Sequence, residues 1–474
     1  MQEGKRTGKY KNLLKDSFVF LLGSMGTKLI QFLLVPIYTN ALSKAEYGNI
    51  DLIFTIVQLI MPFTSLVIFD AVLRFGLKKD VERGQVLKDA FAVLAAGSVC
   101  MILFTPFIGL YPPIAEWKWF ACANVIISMT TGVLFSYLKV KNMNRVYALL
   151  SVNQTFMSAV FSILALLVFH QGIKGYLTAG ILSHLMTLIL LLICGDVYKD
   201  VSTALLNKSL LKQMVGFSAP LIITNVSWWV IQSSDKIMVE RMLGLEMLGL
   251  YSVAAKIPAL INVVISVFQQ AWGISAIKEY EDSNETSFYD NVFQAFTTFV
   301  FGVTILFISI IRLFMKYYVA AEYYIAWRYT PLLLMAAAFS ATSSYYASMY
   351  SALQKSVNNM LTTLTAAVMN IILNFILIKR YGVCGAVTAT AVSYFVMSEI
   401  RKADVGRYIH IKIYKTYSLN CILLIVQAIL VSLAWHTVAV SAATVLLYLF
   451  VNQKQIRRIA VDIKHRKRSR WKKK

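Results

Sequence analysis

Apolar runs of about 20 residues or more recur along the whole chain, each long enough to cross about 30 Å of hydrocarbon as a helix rising 1.5 Å per residue. With 58% hydrophobic and 15% charged residues among 474, the chain carries more apolar material than a core bounded by water can hide. Lipid is therefore the expected solvent. A helix satisfies every backbone N–H and C=O within its own segment. The long uninterrupted runs also lack the short alternating segments of a transmembrane barrel. The expected fold class is an all-α polytopic membrane protein with about fourteen transmembrane helices. The spans fall near residues 17–40, 49–73, 90–110, 117–138, 147–169, 176–195, 214–239, 248–273, 290–311, 329–353, 357–378, 383–398, 417–435 and 438–453.

The first run, Phe18 to Asn40, follows a basic stretch as a signal peptide does. It is too long for such a segment and lacks a clear small-residue cleavage site, so it reads as an uncleaved first helix. Cys100, Cys122, Cys194, Cys384 and Cys421 lie in or beside apolar runs without a CxxC pair. They read as small buried hydrophobes, with no disulfide framework and no metal site.

The net charge of +23 is unevenly placed. With both termini inside, most Lys and Arg fall on the cytoplasmic side, led by Lys5–Lys15, Arg74–Lys88, Arg401–Lys415 and Lys454–Lys474. The terminal HRKRSRWKKK suits anionic lipid headgroups beside a last span better than it suits RNA, so no nucleic-acid partner is expected. Two connections depart from the pattern: 279–285 is acidic and inside, and 312–328 is basic and outside.

A shift of 201 residues superimposes parts of the chain on one another. Leu42 falls on Leu243, Gly48 on Gly249, Gln31 on Gln232 and Ser24 on Asn225, with Tyr47 and Tyr251 beside the glycines. Spans one and two thus correspond to seven and eight, and both copies start inside. The expected plan is a parallel repeat of six plus six helices: an N-terminal lobe over 1–200, a C-terminal lobe over 201–400, two accessory helices over 401–453, and a basic cytoplasmic tail over 454–474.

Polar residues inside spans are costly in lipid, so their placement indicates a pathway. Ser17, Ser24, Lys28 and Gln31 share a face of span one; Asn225, Trp229, Gln232 and Lys236 share one of span seven, with Asp235 alongside. Asp51, Thr55, Gln58 and Ser65 mark span two, and Ser252, Lys256, Ser266 and Gln270 mark span eight. The shift lays Asp51 on Ser252 and Thr55 on Lys256, so two matched polar faces are expected. Ser and Thr in such helices commonly bond only to the preceding turn. Lys236 and Asp235, near a helix end, read equally as snorkelling or paired groups. Lys28, near the midplane, requires a carboxylate, a wet cavity or an anionic ligand. Asp70 and Arg74 are spaced for a helix ion pair at the cytoplasmic mouth. Spans ten and eleven carry Ser340, Ser343, Ser344, Ser348, Thr363, Asn370 and Asn374, which either line a cavity or pack closely. Pro36, Pro62, Pro220 and Pro258 fall in the paired spans, where they permit bending. The five histidines are scattered, and no phosphate loop, catalytic constellation or cofactor motif is present.

The stretches GSMGTKLIQFLLVPIYTNALSKAEYG, AVLRFG, FSAPLI and SSDKIMVERMLGLEMLGLYSVAAKI resemble the polysaccharide transporter family, the Wzx-type O-antigen and capsule flippases. That family shares a superfamily with multidrug and toxin extruders and the lipid II flippase. The resemblance implies a MATE-like core in a bacterial cytoplasmic membrane. The cargo it implies is an undecaprenyl-diphosphate-linked oligosaccharide. It also implies a cationic cavity in which Lys28, Gln31, Arg74, Gln232, Lys236 and Lys256 are the substrate-binding candidates. A polysaccharide polymerase and a chain-length regulator are implied as partners. An H⁺ or Na⁺ counter-ion would act at Asp51 or Asp235. Two rivals stand beside this reading. A drug extruder would need more acidic than basic stripes, and a polymerase or ligase would need a larger external loop than Arg312–Arg328.

Overall fold

A computed structural model describes residues 25–471, apart from 79, 203–204, 283–285, 410 and 413; Ser17, Ser24 and the Lys5–Lys15 cluster lie outside the described residues. Numbered in chain order, the helices are α1 (25–41), α2 (Lys44–Ser65), α3 (Ile68–Gly76), α4 (Arg83–Ile108), α5 (Pro112–Ala115), α6 (Lys118–Val140), α7 (Asn144–Ile163), α8 (Gly172–Cys194) and α9 (Val197–Ser202). They continue as α10 (Lys208–Leu243), α11 (Leu245–Lys256), α12 (Pro258–Asp282), α13 (Thr286–Tyr318), α14 (Thr330–Ala352), α15 (Ser356–Tyr381), α16 (Val383–Val405), α17 (Lys415–Ser432) and α18 (Thr437–Trp471). Among the described residues, ten helices are long and apolar enough to cross a membrane, or twelve when each of two bent pairs counts as one span. Over its described residues each expected span is helical apart from the breaks in spans two and eight, but α1, described over 17 residues, and α14 stand outside that set, so the count of fourteen is not reached on length and composition.

The chain divides into two compact units, Met1–Ser252 and Val253–Lys474. The first has its core where α3, α4 and α6 meet, built from Ile68, Val72, Val86, Leu87, Val133, Leu134 and Tyr137, with Leu210 and Met214 of α10 added to it. The second is built around α14, whose length is almost wholly buried. Its aromatic centre stacks Trp272 on Tyr345 at 4.6 Å, with Phe293 5.1 Å from Tyr345 and Phe339 4.9 Å from Phe395. The two last helices belong to this unit. Gln427 of α17 donates to Ser309 Oγ of α13 at 2.9 Å, and Tyr448 of α18 donates to the Thr298 carbonyl.

Several local expectations are corrected. Span two is not continuous: α2 ends at Ser65, Leu66 (φ 49°) and Val67 (φ 52°) are left-handed, and α3 restarts at Ile68. Two successive non-glycine residues in that region are strained. The Ser65 hydroxyl accepts the Val67 N–H at 3.2 Å and donates to the Met61 carbonyl at 2.7 Å, which satisfies backbone groups left over at the break. Proline marks only one of the two bends: Pro258 opens α12 at a 41° bend, whereas α10 turns by 55° at residue 231, well beyond Pro220. The segment 312–328 is not a loop, since α13 runs to Tyr318 and Ala321–Arg328 forms a 3-10 turn. Arg401 is not in a loop either, because α16 carries it inward to Val405. Cys122 and Cys421 are buried, but Cys100 and Cys194 are exposed.

Candidate functional site

Two helix starts meet in the first unit. Ser43 caps α2: its backbone N–H and its hydroxyl both donate to Glu46 Oε2, at 2.8 and 2.9 Å, while the Glu46 N–H donates to Ser43 Oγ at 3.3 Å. The equivalent cap of α11, 201 residues on, is Gly244, whose φ 89° and ψ 174° are open essentially to glycine alone. One turn later a Cβ on Gly48 would lie 2.1 Å from the Leu245 carbonyl oxygen, and one on Gly249 would lie 2.1 Å from that of Lys44. Lys44 and Leu245 are themselves equivalent under the shift. The two contacts are thus mirror statements of one another, as at a two-fold axis. Glycine is required on both sides because the backbones touch.

The polar residues of the stripes sit on the next turn of this crossing. Ser252 Oγ donates to Asp51 Oδ2 at 2.7 Å, and Lys236 Nζ of α10 lies 2.8 Å from the same oxygen. The side chains of Lys236 and Asp51 keep only 22% and 12% of their exposure, so water screens the pair weakly. Asp235 is buried. One of its oxygens accepts the Lys236 backbone N–H at 2.9 Å and the other accepts the Tyr251 hydroxyl. Trp229 Nε1 donates to the Thr55 carbonyl at 2.9 Å, and Thr55 Oγ1 donates to the Asp51 carbonyl at 2.7 Å. Tyr47 is buried beside Asp51, and the Tyr38 and Tyr176 rings meet edge to face at 5.0 Å. The result is a polar core between α2, α10 and the start of α11.

The structure therefore brings together Asp51, Asp235 and Lys236, and Lys236 pairs with Asp51 across helices rather than with the adjacent Asp235. Lys28 and Gln31 are exposed on α1, and Gln232 is exposed on α10. Lys256, half-buried at the end of α11, belongs to the second unit. Arg74 lies elsewhere, at the end of α3, with its guanidinium 4.2 Å from the Phe217 ring, and the expected Asp70–Arg74 pair is not among the ion pairs of the described residues. Among the described residues no three His, Cys, Asp or Glu side chains gather as metal ligands.

Among the described residues, one buried cation escaped the sequence. Arg401, 3% exposed, donates to Ser343 Oγ (3.0 Å) and the Ser343 carbonyl (3.1 Å), to Thr362 Oγ1 (3.1 Å), to Thr363 Oγ1 (2.7 Å) and to Asn359 Oδ1 (2.8 Å). All five guanidinium donors are taken. The group clamps α14, α15 and α16 together. A cation just past an apolar run ordinarily marks the end of a span, and the neutral acceptors that receive this one lie on two other helices.

Residues 13–273, more than half of the chain, match the family model described as polysaccharide biosynthesis protein. A protein of the Lsg locus of Haemophilus influenzae is 24% identical over 268 residues, covering 55% of this chain and 64% of that protein, so the match spans less than two thirds of the relative's length. Among solved structures, the lipid II flippase MurJ in an inward closed conformation superimposes with a TM-score of 0.66 at 10% identity, over 94% of this chain and 100% of that one. A multidrug resistance MATE family transporter of the MOP superfamily, in an inward-facing conformation, gives 0.63 at 13% identity, over 82% of this chain and 95% of that one. The helical fold is one that these transporters share, and the chain belongs to the polysaccharide biosynthesis protein family.

Proposed function

We propose that the protein is a flippase that moves an undecaprenyl-diphosphate-linked oligosaccharide across a bacterial cytoplasmic membrane by alternating access, with both termini cytoplasmic, for surface polysaccharide synthesis. The observation that carries this reading is the Asp51–Lys236 pair, a charge couple held among membrane helices at the crossing of two repeat-equivalent helix starts. Intramembrane ion pairs mark substrate and ion pathways because lipid offers them no solvation. This pair can be exchanged from either side. A diphosphate competes for Lys236, and a proton or Na⁺ competes for Asp51, so loading of cargo and of counter-ion acts on a single contact. Lys28, Gln31 and Gln232, exposed on α1 and α10, supply further donors, and Lys256 and Arg74 remain separate cationic candidates. Asp235, held by Tyr251, serves as the second carboxylate for the counter-ion. The two copies of the repeat, 1–200 and 201–400, are the moving parts of that cycle. The reaction makes and breaks no covalent bond, so the protein acts as a transporter and not as an enzyme. A polymerase and a chain-length regulator act downstream on the delivered unit.

Removing the protein tests the reading. The expected result is accumulation of lipid-linked oligosaccharide on the inner leaflet and loss of surface polysaccharide. A multidrug extruder of the same fold leaves the lipid-linked pool unchanged and alters drug sensitivity instead, an outcome that would overturn the proposal. Wild-type surface polysaccharide in a Lys28→Ala, Lys256→Ala double variant at equal expression would remove the cationic cavity from it.

A further inference from the structure

A second chemical environment lies wholly within the second unit. Helices α14, α15, α16 and α17 enclose a groove of about 430 Å³, within the roughly 300–1,000 Å³ range of small-molecule sites. Its walls include Leu332 near the start of α14, Leu377 and Tyr381 at the end of α15, Cys384 and Ala391 of α16, and Ile429 near the end of α17. All sit toward one end of the bundle, where α15 turns into α16 through Gly382. Thr388 is one of the few polar residues of the wall, and its hydroxyl is already donated to the Cys384 carbonyl at 2.7 Å. The groove offers a sugar, a metal or a nucleotide almost nothing to bond to.

The mouth is different. Arg328 is exposed at the end of the 3-10 turn, four positions before the groove residue Leu332. Arg380 is exposed, with its guanidinium 5.6 Å from the ring of Tyr381, a groove residue. Neither arginine lies within ion-pair distance of a carboxylate among the described residues. Toward this end α15 turns Ile372 and Ile376 outward, and Ile429 and Leu433 are exposed at the end of α17. The medium facing the groove is therefore hydrocarbon. Lys379 and Arg312 add to the same basic end, with Arg312 5.3 Å from the Trp327 ring that Arg328 also approaches. In a chain whose other basic residues favour the opposite face, this cluster runs against the charge bias.

We propose that the groove is a binding site for one acyl chain of an anionic phospholipid, whose phosphate is held by Arg328 and Arg380. An apolar slot open to the bilayer matches the chain, and two arginines at the depth of the slot's mouth match the headgroup. On the orientation proposed above, the lipid comes from the outer leaflet. The site is separate from the Asp51–Lys236 pair and does not depend on the cargo carried.

The test is direct binding to the purified full-length chain, read by native mass spectrometry with dioleoyl phosphatidylglycerol or dioleoyl phosphatidylcholine added. The wild type is expected to retain phosphatidylglycerol preferentially. An Arg328→Gln, Arg380→Gln variant is expected to lose that preference by roughly tenfold, and Ala391→Trp is expected to retain one lipid fewer. Because a tryptophan in the groove can impair folding, a second readout uses the unaltered protein: phosphatidylglycerol, and not phosphatidylcholine, slows N-ethylmaleimide labelling of Cys384, followed by peptide mass spectrometry. An unchanged labelling rate, or an unchanged lipid preference in the arginine variant, overturns the proposal. So does recovery of an isoprenoid diphosphate that phosphatidylglycerol fails to displace, which would make the groove a cargo site. None of these readouts involves transport, so they stand or fall apart from the flippase reading.

Discussion

Ser252 donates a 2.7 Å hydrogen bond to Asp51, and the two residues stand 201 positions apart, the interval that also lays Gly48 on Gly249. A contact between equivalent positions of a repeat lies near its symmetry axis. Here it also holds the carboxylate that Lys236 approaches from α10, so the charge pair is fixed by the internal symmetry of the chain.

The pair should show strong coupling. Lys236→Met removes the cation 2.8 Å from the partly buried Asp51 carboxylate, and Asp51→Asn removes the anion from Lys236; each single change is expected to lower stability in detergent. The Asp51→Asn, Lys236→Met double variant should recover part of that loss, with a coupling of about 0.5–3 kcal/mol in a double-mutant cycle followed by thermal unfolding. Additive losses would mean that the contact contributes nothing.

At the crossing of α2 and α11, Gly48→Ala and Gly249→Ala should each sharply lower the yield of folded protein. The added carbon would stand 2.1 Å from a carbonyl oxygen, so one helix must move. Because the two contacts are equivalent, the losses should be similar in size. Size-exclusion profiles of the two variants at matched expression give the comparison.

Arg401 predicts a different signature. Its five donors are satisfied by neutral acceptors, so Arg401→Lys, with three donors and no planar fork, is expected to destabilise nearly as much as Arg401→Met, on the order of 3 kcal/mol. Hydrogen exchange should rise in α15 and α16, and a lysine variant as stable as the wild type would contradict the clamp.

The last two helices are joined by a reciprocal amide pair: Asn420 Nδ2 donates to Asn452 Oδ1 at 3.0 Å, and Asn452 Nδ2 donates back at 2.8 Å. Replacing one partner by Leu strands a buried amide and should cost about 1–3 kcal/mol, whereas Asn420→Leu with Asn452→Leu should come close to neutral. Thermal unfolding of the three variants in one detergent separates these outcomes.

The lengths of the apolar runs and their spacing were enough to specify helices in lipid, because backbone hydrogen bonding in hydrocarbon leaves no other continuous form. The 201-residue shift was also legible, since Gly48, Gly249, Asp51 and Ser252 occupy matching places in linear order. The partner of Lys236 was not. Helical spacing says which residues share a face of one helix, but which face of which other helix meets it depends on packing between segments far apart in the chain. Lys236 had Asp235 beside it and chose Asp51, 185 positions away, because the neighbouring carboxylate is turned to its own backbone and to Tyr251. Arg401 reads from sequence as a loop residue for the same reason: its acceptors, Ser343, Asn359, Thr362 and Thr363, lie on two other helices, and only their convergence makes burial of the charge tolerable. The break at Leu66–Val67 has no glycine or proline at the two left-handed residues themselves, so it too was decided by tertiary contact, where Gly97 of α4 lets the Thr64 carbonyl approach its backbone. What the sequence determined alone was the solvent, the helices and their repeat; the tertiary structure decided which charges meet, because a charge in lipid takes whatever partner packing brings within reach.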